Sequence, residues 1–358
     1  MRLRPVPARQ RASRRPGLRL AAAVASVAAA SLVLAACGGG STGAASGGDK
    51  PTLTLYNAQH EDLMKLMVDG FTKETGIKVQ MRNGEDFELA NQLVQEGSAS
   101  PADAFVTENS PAMTLVDGKG LFATVGSEAL SNVPARYTPS DKKWVGFAAR
   151  STVLAYNPTK VADGDLPASL LDLADPRWKG KLGIAAGGAD FQAIVSAVLA
   201  LKGEQATEQW LKGLKDNAKV YQGNGAVMRA VNSGEIAAGV IYHYYWYKDQ
   251  AEAGDNSKNV KLHFFGHQDP GAFVSVSGAG VLKSSKHQDE AQQLVAFLTS
   301  EKGQKILADS DALEYTVGSG VPANPALPPL KSLDAPEVDV ASLNGPKVVD
   351  LMRQAGLL

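Results

Sequence analysis

The sequence predicts an α/β protein of two lobes, each a mostly parallel sheet flanked by helices. Three observations carry that expectation. Strand-like and helix-like segments alternate along the body. The alternation starts twice, once after Lys50 and again after Trp144. The chain has 358 residues, room for roughly two domains of 100–200 residues.

The elements follow in order. Pro51 to Tyr56 (PTLTLY) alternates apolar and polar side chains and is rich in strand formers, so it reads as a strand. Glu61 to Glu74 carries Leu63, Leu66, Met67 and Phe71 on one helical face, and Gly76 lies just past its end. Ile77 to Met81 is the next strand, Phe87 to Glu96 the next helix and Ala102 to Thr107 a short strand. Ser110-Pro111 then supplies an N-cap and a first-turn proline for a further helix. The second run contains strands near Ser151–Tyr156, Lys181–Ala185 and Ile236–Tyr242. Between them lie helices near Phe191–Leu201, Thr207–Leu214 and Val227–Ser233. A helix near Asp289–Thr299 places Ala291, Leu294, Val295 and Leu298 on one stripe, Pro322–Pro329 is a proline-rich connector, and Val348–Leu357 reads as a short helix. In parallel sheets ligands sit beyond the carboxyl ends of strands, which directs attention to Asn57–His60 and to Glu108-Asn109.

The front of the chain is an address. Seven of the 36 basic residues are arginines ahead of residue 37, in a stretch without acids, and Leu20–Ala36 is uncharged and alanine-rich. A basic segment, an apolar segment and small residues before a cut describe a secretory signal. Leu34-Ala35-Ala36-Cys37 resembles the bacterial lipoprotein box, making the single cysteine, Cys37, the expected lipidation site. Ser13-Arg14-Arg15 hints at twin-arginine export, although Gly17 stands where an apolar aromatic is usual. Residues 38–50 read as a flexible tether. The protein is therefore expected to be exported and held on the outer face of a membrane.

Charge narrows the function. Without the leader, 29 basic residues face 37 acidic ones, a net charge of −8, and a net acidic body with no basic run argues against nucleic-acid binding. With one cysteine, no disulfide forms within the chain. No G-x-S-x-G elbow, H-E-x-x-H or Walker loop is present, so an enzyme is not expected.

The segment that carries chemistry is Tyr242-His243-Tyr244-Tyr245-Trp246-Tyr247, which holds four of the nine tyrosines. Buried tyrosine needs a hydroxyl partner, and adjacent residues on a regular strand face opposite ways. A segment leaving strand Ile236–Tyr242 at its carboxyl end would instead present phenols into a cleft. His263 and His267 have an i,i+4 spacing, but Gly266 and the Asp269-Pro270-Gly271 turn argue against a helix presenting both.

At these residues the chain resembles the periplasmic ferric-iron-binding proteins, the substrate-binding subunits of ABC importers with a type II, transferrin-like binding-protein fold. The resemblance runs from about Leu53 to Lys305. It is carried by LTLYNAQHEDL, VTENSPA, DPRWKGKLGIA, VNSGEIAAGVIYHYYWY and DEAQQLVAFLTSEKGQKIL. The histidine of YNAQH, the glutamate of VTEN and the tyrosine pair of YYW discriminate iron from other solutes. Carried over residue by residue, they make His60, Glu108, Tyr244 and Tyr245 the metal ligands. Phenolate and carboxylate are hard donors suited to Fe3+, whereas Zn2+ or Cu+ would favour cysteine or several histidines. Ionising a phenol at pH 7 costs about 4 kcal/mol, which a trivalent ion can offset.

The resemblance also implies a synergistic anion, carbonate or phosphate, mapping onto Asn109, the loop Gly187-Gly188-Ala189, Asn224 and Tyr242. Gly188 stands where some relatives have serine, Tyr242 where they have asparagine, and Asp190 adds a negative charge. Either a smaller anion such as carbonate binds, near Arg150, or Tyr242 or Asp190 takes its place as a ligand; the anion is put first. Lobe one is expected at 51–150 with 264–320 and lobe two at 151–263 with 321–358, each giving two of the four ligands. The resemblance further implies a monomer that docks on a membrane permease driven by a cytoplasmic ATPase. The alternative is a binding protein for an organic cation such as a polyamine or thiamine.

Overall fold

The computed structural model describes residues 50–358. The leader, the lipobox cysteine Cys37 and the tether up to residue 49 lie outside the described residues.

The first run is β1 (Thr52–Ala58), α1 (Glu61–Thr75), β2 (Lys78–Asn83), α2 (Asp86–Glu96), β3 (Ala104–Thr107), α3 (Ser110–Asp117) and the short α4 (Ser127–Ser131). α1 buries Leu63, Met64, Met67, Val68 and Phe71 and stops at Gly76, whose φ of 73° suits a residue without a Cβ. Each such side chain contributes about 1.5–3 kcal/mol on burial. α3 begins one residue earlier than expected. Asn109 is the residue before its first turn, and the Ser110 hydroxyl, instead of capping, donates to the carbonyl of Val276 at 2.8 Å.

β4 (Val145–Tyr156) is twelve residues long and buried throughout. After it come β5 (Leu182–Ile184), α5 (Ala189–Asn217), β6 (Ala218–Val220), α6 (Asn224–Ser233), β7 (Ala238–Tyr242) and α7 (His243–Glu252). α5 breaks at Gly203, with φ 79°, so it is two helical pieces, as the sequence indicates. The chain ends with β8 (Lys261–His263), β9 (Val274–Val281), α8 (Gln288–Thr299), α9 (Glu301–Asp309), β10 (Tyr315–Thr316) and α10 (Gly345–Gln354).

The strand order is β2-β1-β3-β9-β4-β7-β5-β6. Both ends of this order are parallel: β2 and β3 flank β1, and β6 and β7 flank β5. Antiparallel strands join them. β9 lies against β3 and against the first half of β4, with Arg150 opposite Ser275 and Ser151 opposite Val274. From Thr152 onward β4 pairs instead with β7, Thr152 opposite Tyr242. β9 was not among the elements anticipated from sequence; its small residues (VSVSGAGV) carry little amphipathic signal, yet seven of its eight positions are buried.

Apolar cores form on both sides of this crossing. One gathers Leu55, Phe71, Phe105, Trp144, Phe147, Leu294 and Leu298. The other gathers Leu182, Phe191, Val195, Trp210, Val240 and Leu351, with a smaller cluster around Val227 and Ile241. Phe265, Ala272 and Phe273 pack in the second core, whereas Leu327, Leu333 and Val340 pack in the first.

Candidate metal centre

Strand ends place the site. β1 ends at Ala58, and His60 is the residue that precedes α1. β3 ends at Thr107, followed by Glu108 and then Asn109 before α3. Gly188 precedes α5, and Asp190 lies in its first turn. Asn224 opens α6. β7 runs without a loop into α7, so Tyr244 and Tyr245 fall in the first turn of that helix rather than in an extended segment. Five helix N-termini thus face one region. A helix start carries unpaired N–H groups and a partial positive charge, which favours anionic side chains by roughly 0.3–1 kcal/mol each. That field partly offsets, without reversing, the burial that opposes ionisation of the phenols and of Asp190 here.

The four residues singled out as ligands converge. The Tyr244 hydroxyl donates to Glu108 Oε1 at 3.0 Å and lies 3.4 Å from His60 Nε2. His60 Nε2 is 3.7 Å from Glu108 Oε1. The Tyr244 and Tyr245 rings stack with centroids 4.2 Å apart, and the His60 ring meets Tyr244 edge-on at 5.1 Å. Adjacent tyrosines share a direction because helix-start geometry, unlike a strand, does not alternate side chains across a sheet.

Beside them lies a second cluster of polar side chains. The Asp190 carboxylate accepts from Asn109 Nδ2 at 2.9 Å, Asn224 Nδ2 at 2.7 Å and the Tyr245 hydroxyl at 3.2 Å. The Tyr242 hydroxyl donates to Asn109 Oδ1 and to the Asp190 carbonyl, both at 3.3 Å. Asn109, Asp190, Asn224 and Tyr242 are all buried. Gly188 and Ala189 contribute backbone at the start of α5.

Arg150 is fully buried and already partnered. It donates through Nη2 to Glu314 Oε2 at 2.7 Å and to the Ser277 hydroxyl at 2.9 Å, and through Nη1 to the Glu108 carbonyl, while Nε lies 3.8 Å from Glu108 Oε1. Asp86 accepts the backbone N–H groups of Glu108 and Asn109 at 2.8 and 2.9 Å, fixing the turn that carries both. Sequence reasoning missed Glu314 and Asp86, because a lone acid in a loop or at the first position of a helix gives no periodic signal, and it gave no role to Gln59 within the flagged segment Asn57–His60. His263 binds the Pro167 carbonyl at 2.9 Å and His267 is exposed, so neither reaches the site.

Protonation follows from these contacts. Burial pushes the Tyr244 and Tyr245 phenols well up, and the charges of Glu108 and Asp190 push the same way. Burial, then the Glu108 charge, pushes Asp190 up to about 7. Glu314 goes the other way: burial opposes its ionisation, but Arg150 and His60 hold it down at about 2. Burial opposes the charged form of His60, yet the hydrogen bond it makes to Glu314 and the Glu108 charge raise it overall. Among the described residues no group of three or more histidine, cysteine, aspartate and glutamate side chains is set to hold a metal.

Known proteins place the chain in context. Residues 99–341 match the family described as bacterial extracellular solute-binding protein. A protein of Serratia marcescens named Fe(3+)-binding periplasmic protein is 59% identical over 316 residues, 88% of this chain and 94% of that protein. The major ferric iron-binding protein of Neisseria meningitidis serogroup B is 38% identical over 308 residues, covering 85% and 93%. The crystal structure of iron-bound HitA from Pseudomonas aeruginosa superposes with a TM-score of 0.80 at 45% identity, covering 85% of this chain and 99% of that one.

Proposed function

The chain belongs to the bacterial extracellular solute-binding protein family, and from that membership we propose that it captures ferric iron and delivers it to the permease of an ABC importer. His60, Glu108, Tyr244 and Tyr245 are the ligands. The observation that carries this reading is the meeting of Tyr244, Glu108 and His60 within hydrogen-bonding range, with Tyr245 stacked alongside. The role is binding and release, not catalysis. Similarity to proteins named for ferric binding supports it.

The lobes divide at the crossing of β4, between Arg150 and Thr152. His60 and Glu108 stand on one side, Tyr244 and Tyr245 on the other. An ion bridging both sides binds the closed arrangement better than an open one, which is the differential affinity that a population shift requires. Closure presents a compact surface to the permease; opening releases the ion.

Asp190 takes the place of a synergistic anion. Its carboxylate holds the amides of Asn109 and Asn224 that a carbonate or phosphate would need, and Arg150 is committed to Glu314 and Glu108. The order of alternatives drawn from sequence therefore reverses. Protein donors alone complete the shell, and swapping bicarbonate for phosphate is expected to leave the phenolate-to-iron absorption band unmoved.

An organic cation is disfavoured by the same geometry. The two rings stack on each other at 4.2 Å, leaving no slot between them for a planar guest. Among the described residues no helix is long and apolar enough to cross a membrane. A lipid on Cys37 anchors this exported protein to the outer face of the membrane, and it works as a monomer.

The test is an iron titration of the apoprotein in weak buffer with the visible band followed in parallel. A band accompanied by release of about two or more protons per iron is expected, because the phenols are protonated beforehand. Iron uptake without proton release would falsify phenolate ligation.

A further inference from the structure

Glu314 lies between α9 and β10, and its side chain has no exposed surface. Its two oxygens are divided between neighbours. Oε2 accepts from Arg150 Nη2 at 2.7 Å and from Gln59 Nε2 at 3.3 Å. Oε1 faces Nδ1 of His60 at 3.2 Å. An ionised carboxylate can only accept, so this contact is a hydrogen bond only when Nδ1 carries the proton. In the neutral ring Nε2 is then the bare nitrogen, and Nε2 is the one turned toward the Tyr244 hydroxyl and Glu108 Oε1. The backbone of His60 is held as well, its N–H donating to Gln59 Oε1 at 2.7 Å, while Gln59 Nε2 also donates to the Ser277 hydroxyl at 2.7 Å.

The geometry points to Glu314 as a positioning residue for iron capture: through Nδ1 it fixes the tautomer and ring plane of His60, so that the Nε2 lone pair is presented to the ion. The inference rests on the ferric reading above and deepens it. Metal-bound imidazoles commonly donate their other N–H to a carboxylate, and removing such a partner lowers metal affinity by about 10–100-fold. Here the same carboxylate is pinned by a buried guanidinium. That guanidinium also holds the Glu108 backbone carbonyl, so one ion pair sets the geometry of two ligands 48 positions apart in sequence.

The first experiment needs no iron. Apoprotein labelled with 15N-histidine is studied by long-range 1H–15N correlation at about pH 8.5, above the usual histidine range. His60 is assigned among the five histidines by comparison with His60→Gln. A protonated Nδ1 and a bare Nε2 are expected; a proton on Nε2, in either the other tautomer or an imidazolium, overturns the proposal. Should wild-type protein fail to develop a phenolate–iron band, the ferric reading falls while the tautomer result stands by itself.

The second experiment uses Glu314→Gln, which keeps the side-chain shape but can offer Nδ1 either an oxygen or an amide N–H. A mixed tautomer and about 10–100-fold weaker ferric binding in citrate competition are expected. A folded variant with the wild-type tautomer and wild-type affinity overturns the assignment.

Discussion

The two sides of the centre solve the same electrostatic problem in opposite ways. On the β1–β3 side, Glu314 and Glu108 are buried or half-buried carboxylates gathered around one guanidinium, Arg150, and Glu314 stays ionised down to about pH 2. On the β5–β7 side, Asp190, Tyr244 and Tyr245 have no cation among their hydrogen-bond partners, and burial keeps the phenols protonated while Asp190 rises to about 7. One side is therefore prepaid in charge by an internal cation, and the other holds protons that an arriving cation must displace. The first side sets geometry; the second makes binding depend on pH.

The largest expected effect tests the first side. Arg150→Met removes the partner of Glu314 and leaves a carboxylate buried without a counter-charge, at a cost of about 3–5 kcal/mol. Chemical denaturation of the apoprotein measures it, and an undiminished midpoint would mean that the ion pair does not organise this side. Tyr245→Phe, by contrast, is expected to leave apoprotein stability within about 1 kcal/mol.

Next in size is the response of iron binding to that same Tyr245→Phe change, or to Tyr244→Phe. Loss of a direct ligand should exceed the roughly 100-fold seen for outer partners and bleach the visible band in proportion. Equilibrium competition with citrate reads the affinity. A variant retaining both band and affinity would break the contrast between the two sides, because the phenols would then be packing groups.

The effect that is smallest per pH unit concerns the slope of stability with pH. The folded-state pKa of Asp190 is raised from 3.8 to about 7, so between those values the folded apoprotein binds more protons than the unfolded chain, and stability falls as pH rises. Glu314 has the opposite sign: its stabilisation is present above the ordinary carboxylate range and is lost as pH falls toward 2. Asp190→Asn should remove a slope of up to about 1.4 kcal/mol per pH unit between roughly pH 4 and 7. Thermal melts of variant and wild type across that range should converge at the acid end and separate toward neutrality. Parallel curves would show that Asp190 titrates normally.

Much of the site was legible in one dimension, and the reason is topological. The rule that ligands gather beyond the carboxyl ends of parallel strands points at the segments holding His60 and Glu108, the tyrosine pair stands just past the end of β7, and the resemblance then names all four as ligands. Asn109, Asp190 and Asn224 were reached through the resemblance, as a pocket for an outside anion. Their actual partnership, two amides on one internal carboxylate, could not be read locally because the three residues stand at the starts of three different helices. Arg150 was noticed only as a residue near which a small anion could bind; in the fold it is buried, with both Nη atoms taken by Glu314, Ser277 and the Glu108 carbonyl and Nε without a hydrogen-bond partner. Glu314 left no trace at all, being a lone acid in a loop 254 positions from its histidine.

By itself, the sequence determined most of the helices and parallel strands but not β9, together with the export signal and which hard donors stand near strand ends, because periodicity, turn chemistry and residue type act over a few neighbouring positions. The tertiary structure alone decided which carboxylates share one guanidinium, which nitrogen of His60 faces Tyr244 and Glu108, and which groups hold protons. Those outcomes depend on distance and on removal from water, and both are set by strands β4 and β9 bringing remote residues together in a low-dielectric interior.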